Sequence, residues 1–199
     1  MLSNLDVDWE RLLIESAQRD LNAFQELYHH YFPKVYAYVN YRVTNVQDAE
    51  DLVTDIFIKV AGKLGRFQWQ GDGSFAAWLF RIAHDLVIDF YRKNSHVREP
   101  LSLNDLPDIK CNMLLPDEVI SQKEKFVLIR KIIDKLSPRR QEIIVLKFYG
   151  GLRNHEIAKV LGLDERTVAS HLCRGLEDLQ TFYLQLYVHS DKEEVHERK

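Results

Sequence analysis

Residues 136–179, LSPRRQEIIVLKFYGGLRNHEIAKVLGLDERTVASHLCRGLEDL, limit the fold more than any other stretch. They read as a helix, a glycine break, a short helix, a three-residue turn and a last helix. Ser137 is a good N-cap, and Pro138 suits the first helical position because its missing N–H would have no partner there. Gly150-Gly151 ends that helix. The short helix is expected from Asn154 to Leu161, with Asn154 as its cap and Gly162 as a left-handed stop. Asp164 caps the last helix. Helix, glycine turn, helix is the outline of a helix-turn-helix, whose second helix fits the major groove of DNA.

The faces of the last helix agree with that outline. Val168, Leu172, Leu176 and Leu179 recur at helical spacing and form the side expected to be buried. Arg166, Ser170, Cys173, Arg174 and Glu177 lie opposite, with Thr167 on their flank. Two arginines, a serine and a threonine suit phosphates and base edges. An ordinary solvated face in a helical core remains the alternative for this segment alone.

The rest of the 199 residues is nearly all helical by pattern, since glycine and proline are sparse and strand signals weak. A first helix is expected over 9–18. Asp20 caps the next, with Phe24, Leu27, Tyr28 and Tyr31 on one side. Pro33 either kinks it or starts another carrying Val35, Tyr36, Val39 and Val43. Asn45 caps a long helix over 46–64, a loop follows over 65–73, and Ser74 caps a second long helix to about Lys93. Residues 95–116 hold three prolines and no sustained period, as a linker would. The charged end, SDKEEVHERK, is expected to be disordered. The expected domains are therefore 1–94 and 119–187, with a linker over 95–118 and a tail over 188–199.

Composition removes several classes. No apolar run is long enough to span a bilayer, and the acidic N-terminus is not a secretory signal. Cys111 and Cys173 are too far apart for a disulfide framework or a metal site, which favours a reduced, cytoplasmic protein. The net charge of −3 argues against a protein that coats nucleic acid unaided.

Two helix faces in the first domain carry chemistry. The helix over 46–64 buries Ala49, Leu52, Val53, Ile56, Phe57, Val60 and Leu64. Opposite stand Asp48, Asp51, Thr54, Asp55 and Ile58, an acidic patch around one isoleucine. A partner with basic side chains around an apolar notch would fit it, although a solvated face with one stray isoleucine also accounts for it. The helix over 74–93 buries Phe75, Trp78, Leu79, Ile82, Leu86 and Phe90, and turns Phe80, Arg81, His84, Ile88, Tyr91 and Arg92 away. Aromatics interleaved with arginines suit single-stranded nucleic acid, at about 1–3 kcal/mol per stacked base. Alternatively, Phe80 and Tyr91 pack under the N-terminal helices. The adjoining Phe67, Trp69 and Gly71-Asp72-Gly73 could shape a pocket for an unstacked base.

Three motifs in this order, DAEDLVTDIFIKV (48–60), FQWQGDGSFAAWLFRIAHDLVIDFYRK (67–93) and the 136–179 stretch, closely resemble the extracytoplasmic-function (ECF) sigma factors of bacterial RNA polymerase. The resemblance implies an all-α fold of two small helical domains, sigma region 2 and region 4. It implies polymerase binding by Asp48, Asp51, Asp55 and Ile58 at the β′ clamp helices, with the β flap as a second contact. Minus-ten DNA would be read by Phe67, Trp69, Phe80, Arg81, His84, Asp89 and Arg92. Minus-thirty-five DNA would be read by Arg166, Thr167, Ser170, His171 and Arg174. An anti-sigma factor is an implied partner; no cofactor, metal or catalytic residue is implied, and no membrane insertion.

The chain departs from the pattern in places. Ala169 and His171 stand where family members often carry basic residues. His84-Asp85 stands where Arg-Asn is common, and Arg153 replaces the usual small residue before the short helix. These departures bear on which promoter is read. They also fit the net charge, because a sigma factor binds promoters tightly only with polymerase.

Two other readings compete. A dimeric helix-turn-helix regulator explains the C-terminal half but neither face of the first domain. A helical-bundle metalloenzyme would draw on Asp48, Glu50, Asp51, Asp55 and His29-His30, but no matched inward-facing Glu-x-x-His pair is present.

Overall fold

In the computed structural model, the backbone is described for residues 4–43, 45–94 and 127–196, and side chains for 9–43, 45–94 and 127–185. The expected linker, 95–118, lies outside them. The described residues form eight helices and no strand: α1 (Asn4–Ala17), α2 (Leu21–Arg42), α3 (Val46–Leu64), α4 (Ser74–Lys93), α5 (helical over 127–133), α6 (Pro138–Phe148), α7 (Asn154–Leu161) and α8 (Glu165–His196).

The caps explain the boundaries. Asp20 accepts the Ala23 N–H at 3.1 Å and Asn45 accepts the Asp48 N–H at 3.1 Å, which satisfies two of the donors that a helix start leaves open. Pro33 lies inside α2, which runs on unbroken in assignment. Ser74 is not the cap of α4. Gly73, at φ 70°, takes that position, and the Ser74 hydroxyl instead accepts the Gln70 N–H at 3.2 Å. The 65–73 loop is thereby tied to the helix that follows it.

Region 2 is α1–α4 wrapped around Ile14, Leu27, Val35, Val53, Ile56, Leu64, Phe75 and Leu79, all buried. Tyr31, Phe75, Phe67 and Trp78 form a chain of ring contacts at 5.0–5.3 Å between centroids, each such pair adding about 0.5–1.5 kcal/mol beyond its burial. Region 4 is built on Ile143, Ile144, Val145, Leu146, Ile157, Val160 and Val168. The two do not stand apart. Their buried side chains belong to one continuous apolar cluster, with α7 packed on α4 and α6 on α2.

The charged C-terminal stretch is helical as far as His196, contrary to the expected disorder. It contains neither glycine nor proline after Gly175, so nothing in the backbone chemistry stops α8.

Glu10 of α1 offers a test of how this packing handles charge. Burial pushes its carboxyl above the ordinary value; Tyr31, which donates its O–H to Glu10, opposes the shift, and Asp72 and Glu156 add to it. An acid whose folded value is raised carries stability that is present below its unfolded value and is lost as pH rises through the folded one. Glu10→Gln keeps an acceptor for Tyr31. It should melt like the parent below about pH 4 and at a higher temperature than the parent at pH 7, as read by thermal unfolding at the two pH values.

Candidate nucleic-acid and polymerase interfaces

On α3, Asp48, Asp51, Asp55 and Ile58 are all exposed, and Ile58 shows 65% of its surface. None of the three aspartates makes an ion pair among the described residues; Asp51 only accepts a long hydrogen bond from Gln47 at 3.4 Å. The expected buried residues, Ala49 through Leu64, are all buried. An amphipathic helix has therefore left a ready-made acidic face with an apolar centre.

The α4 face is different. Arg92 and Ile88 are exposed, and Asp89 is half-buried and pairs with Arg92 at 3.2 Å. Phe80, expected on the open face, is completely buried. It packs edge-on to Tyr38 at 5.7 Å and abuts Gly150 of the turn after α6, where a Cβ would come within 2.9 Å of the ring. The reason is the docking of region 4, which a periodicity argument over one helix does not contain. Tyr91 turns inward and donates its O–H to the Arg42 carbonyl. Arg81 reaches across instead, donating to the Val160 carbonyl at 2.8 Å and the Lys159 carbonyl at 3.4 Å. These are end-of-helix carbonyls of α7, which suit a cation. His84 is half-buried, with Nε2 4.0 Å from the Glu142 carboxylate and Nδ1 enclosed without a partner. Phe67 and Trp69 are half-buried and pack on the region 2 core.

On α8, Arg166, Ser170 and Arg174 are exposed on one side. The Asp164 carboxylate caps the helix, accepting the Thr167 N–H at 2.8 Å and the Thr167 hydroxyl at 2.6 Å. The Thr167 hydroxyl is thus engaged locally. His171 is half-buried with its Nδ1 enclosed, so it lies nearer the core than the DNA-facing set it was grouped with. Leu176, expected to be buried, is 43% exposed and lines an open apolar groove of about 490 Å³ with Ile129, Ile133, Ile144, Phe148 and Tyr183.

Sequence reasoning passed over the groups that join the domains. Arg153 occupies the N-cap of α7, so Asn154 is the first helical residue and its Oδ1 is buried without a partner. Glu156 accepts the Arg153 backbone N–H and its Nη2 at 2.9 Å. The same guanidinium forks onto Asp72 of the 65–73 loop, Nη2 to Oδ1 at 2.7 Å and Nη1 to Oδ2. It holds the Asp72 carboxyl below the usual carboxylate range. On the other side of the seam, buried Glu142 pairs with Arg42 at 3.0 Å and accepts the Tyr38 O–H at 2.8 Å. The visible signal was an arginine followed three residues later by a glutamate, in a place where a small cap was expected.

These features define a two-domain helical protein with a helix-turn-helix, an acidic docking face and an aromatic, cationic helix between them. Residues 27–97 match the sigma-70 region 2 family and residues 126–179 the sigma-70 region 4 family. The ECF RNA polymerase sigma factor SigX of Bacillus subtilis is 31% identical over 160 residues, covering 79% of this chain and 81% of SigX. BldN, the ECF sigma factor of Streptomyces coelicolor, is 32% identical over 168 residues, which are 84% of this chain and 63% of BldN. The chain belongs to the ECF family of RNA polymerase sigma factors. Its fold is shared with CnrH, solved with the cytosolic domain of CnrY, at TM-score 0.65 and 23% identity over 87% of this chain and 96% of that one. It is shared as well with RpoE of Bartonella quintana, solved with the anti-sigma factor NepR, at TM-score 0.62 and 20% identity over 82% and 98%. Among the described residues no helix is long and apolar enough to cross a membrane.

Proposed function

We propose that the chain is an alternative sigma factor that binds core RNA polymerase in the cytoplasm, directs promoter recognition and initiation, and is held in check by an anti-sigma factor. It performs no catalytic step of its own. The observation that carries this reading is the presence of both sigma regions in order, with the acidic α3 face exposed and unpaired. Asp48, Asp51, Asp55 and Ile58 engage the β′ clamp helices, and the apolar groove beside α8 seats the β flap. Phe67, Trp69, Arg81, His84, Asp89 and Arg92, with Phe80 once uncovered, handle the minus-ten strand. Arg166, Ser170 and Arg174, flanked by Thr167, read the minus-thirty-five duplex.

Run-off transcription with core polymerase on a promoter library tests the role. Specific starts that require this chain support it; binding to duplex as a dimer, without any start, would point to a regulator. Arg174→Ala supplies a finer prediction. If Arg174 grips a guanine bidentately, the variant loses about 1–3 kcal/mol on the preferred minus-thirty-five sequence and relaxes selection at one position. A uniform loss across the library would assign it to phosphate.

A further inference from the structure

We propose that the docking of region 4 on region 2 is a self-inhibited state, latched by Arg153 across Asp72, that opens only after polymerase has engaged α3. The proposal rests on the sigma reading and adds its regulation.

Three contacts close the seam, and each one uses a group that promoter opening needs. The Arg153 guanidinium forks onto Asp72, in the loop next to Phe67 and Trp69. That loop meets the start of α7 so closely that a Cβ on Gly73 would lie 2.2 Å from the Glu156 carboxylate. Arg81, the exposed cation nearest the aromatic face, is spent on the Lys159 and Val160 carbonyls. Phe80 is covered by the turn at Gly150. A base has no access to stack on Phe80 in this arrangement, and a phosphate would have to displace Arg81 from its carbonyls.

The α3 face is not covered. Asp48, Asp51, Asp55 and Ile58 stay exposed in the same closed chain. This asymmetry sets an order of events: polymerase can dock on the closed form, whereas single-stranded DNA requires the open one. A ligand whose competent state is a minor fraction binds with an affinity reduced by that fraction. The latch therefore suppresses binding to DNA by the free chain and leaves polymerase binding intact. Arg153 suits the task because a planar, bidentate guanidinium fixes geometry that a small capping residue cannot.

The test uses the full chain. Arg153→Glu places a carboxylate against Asp72 and Glu156, and Arg153→Ala removes the fork without repulsion. Small-angle scattering should show Arg153→Glu expanded relative to the parent, with Arg153→Ala between the two. Fluorescence anisotropy with a random single-stranded DNA pool should show Arg153→Glu binding about tenfold tighter, equal to about 1.4 kcal/mol. That gain would come despite the loss of a positive charge, opposite to the direct electrostatic effect. The double variant Asp72→Arg, Arg153→Glu should return to the parent's compactness. Far-UV circular dichroism confirms that each variant keeps its helices; Arg153→Ala carries the comparison if Arg153→Glu does not fold. Variants as compact as the parent, with unchanged DNA affinity, would overturn the latch. Run-off transcription by the parent separates the two ideas: no starts from the parent would sink the sigma reading, while expansion of Arg153→Glu would still report a latch.

Discussion

Reversing the charges of Asp51 and Asp55 together should abolish promoter-specific transcription, by about 100-fold or more, while leaving the fold intact. Both side chains are exposed, neither is ion-paired among the described residues, and both sit one turn apart on a helix whose other face is buried. Their loss costs the isolated chain almost nothing, since surface substitutions away from special features stay within about 0.5 kcal/mol. Facing a basic partner, each reversal turns an attraction into a repulsion. Close charge pairs across interfaces are coupled by about 1.5–7 kcal/mol, so two reversals at even the low end give the stated loss. The check has two parts: pull-down of core polymerase by Asp51→Arg, Asp55→Arg, and its thermal unfolding beside the parent. Ile58→Glu should act in the same direction, because it puts a charge into the apolar centre of the patch. A double variant that still captures polymerase like the parent would move the docking site off α3.

Local patterning carried most of the fold. Caps at Asp20, Asn45 and Asp164, the left-handed Gly162 and the apolar stripe of α3 were all legible because each depends on residues within a few positions. The misreadings share one physical cause: contacts between residues far apart in the chain. Phe80 faces outward on its own helix and is nevertheless buried, because Gly150 and Tyr38 cover it. Leu176 falls on the apolar stripe of α8 yet is exposed, because the stripe overhangs a groove that α5 and α6 do not fill. Arg153 looked like a poor cap, and as a cap it is poor. Its value is a carboxylate 81 positions away, which no period or spacing encodes.

The acidic and minus-thirty-five faces were easier to read than the minus-ten face for the same reason. Asp48, Asp51, Asp55, Arg166, Ser170 and Arg174 lie on outward sides that no other element approaches, so one helix suffices to place them. Arg81, His84 and Phe80 lie where two domains meet, and their surroundings are set jointly by α2, α4, α6 and α7. Residues at such a seam serve two states, one packed and one bound to DNA. A sequence pattern records what they are, not which state holds them.

Truncating Ile157 should be the most damaging single change to region 4. The side chain is wholly enclosed, on α7 between α4 and α8, in a core made of few residues: Ile143, Ile144, Leu146, Val160 and Val168. Ile157→Ala removes buried carbons and leaves a cavity that helices pinned at both ends close poorly, at about 2–5 kcal/mol. A typical domain has only about 5–15 kcal/mol in hand, so unfolding by urea should show a markedly lower midpoint. Ile157→Val deletes one methylene and should cost about 0.5–1.5 kcal/mol. Neither variant alters Arg166, Ser170 or Arg174. Transcription should therefore fall with temperature in proportion to unfolding and recover in the cold, with promoter preference unchanged. A preference that shifted in Ile157→Val, at a temperature where it is fully folded, would mean that α7 packing tilts α8 in the groove, and that the core of region 4 takes part in setting the sequence it reads.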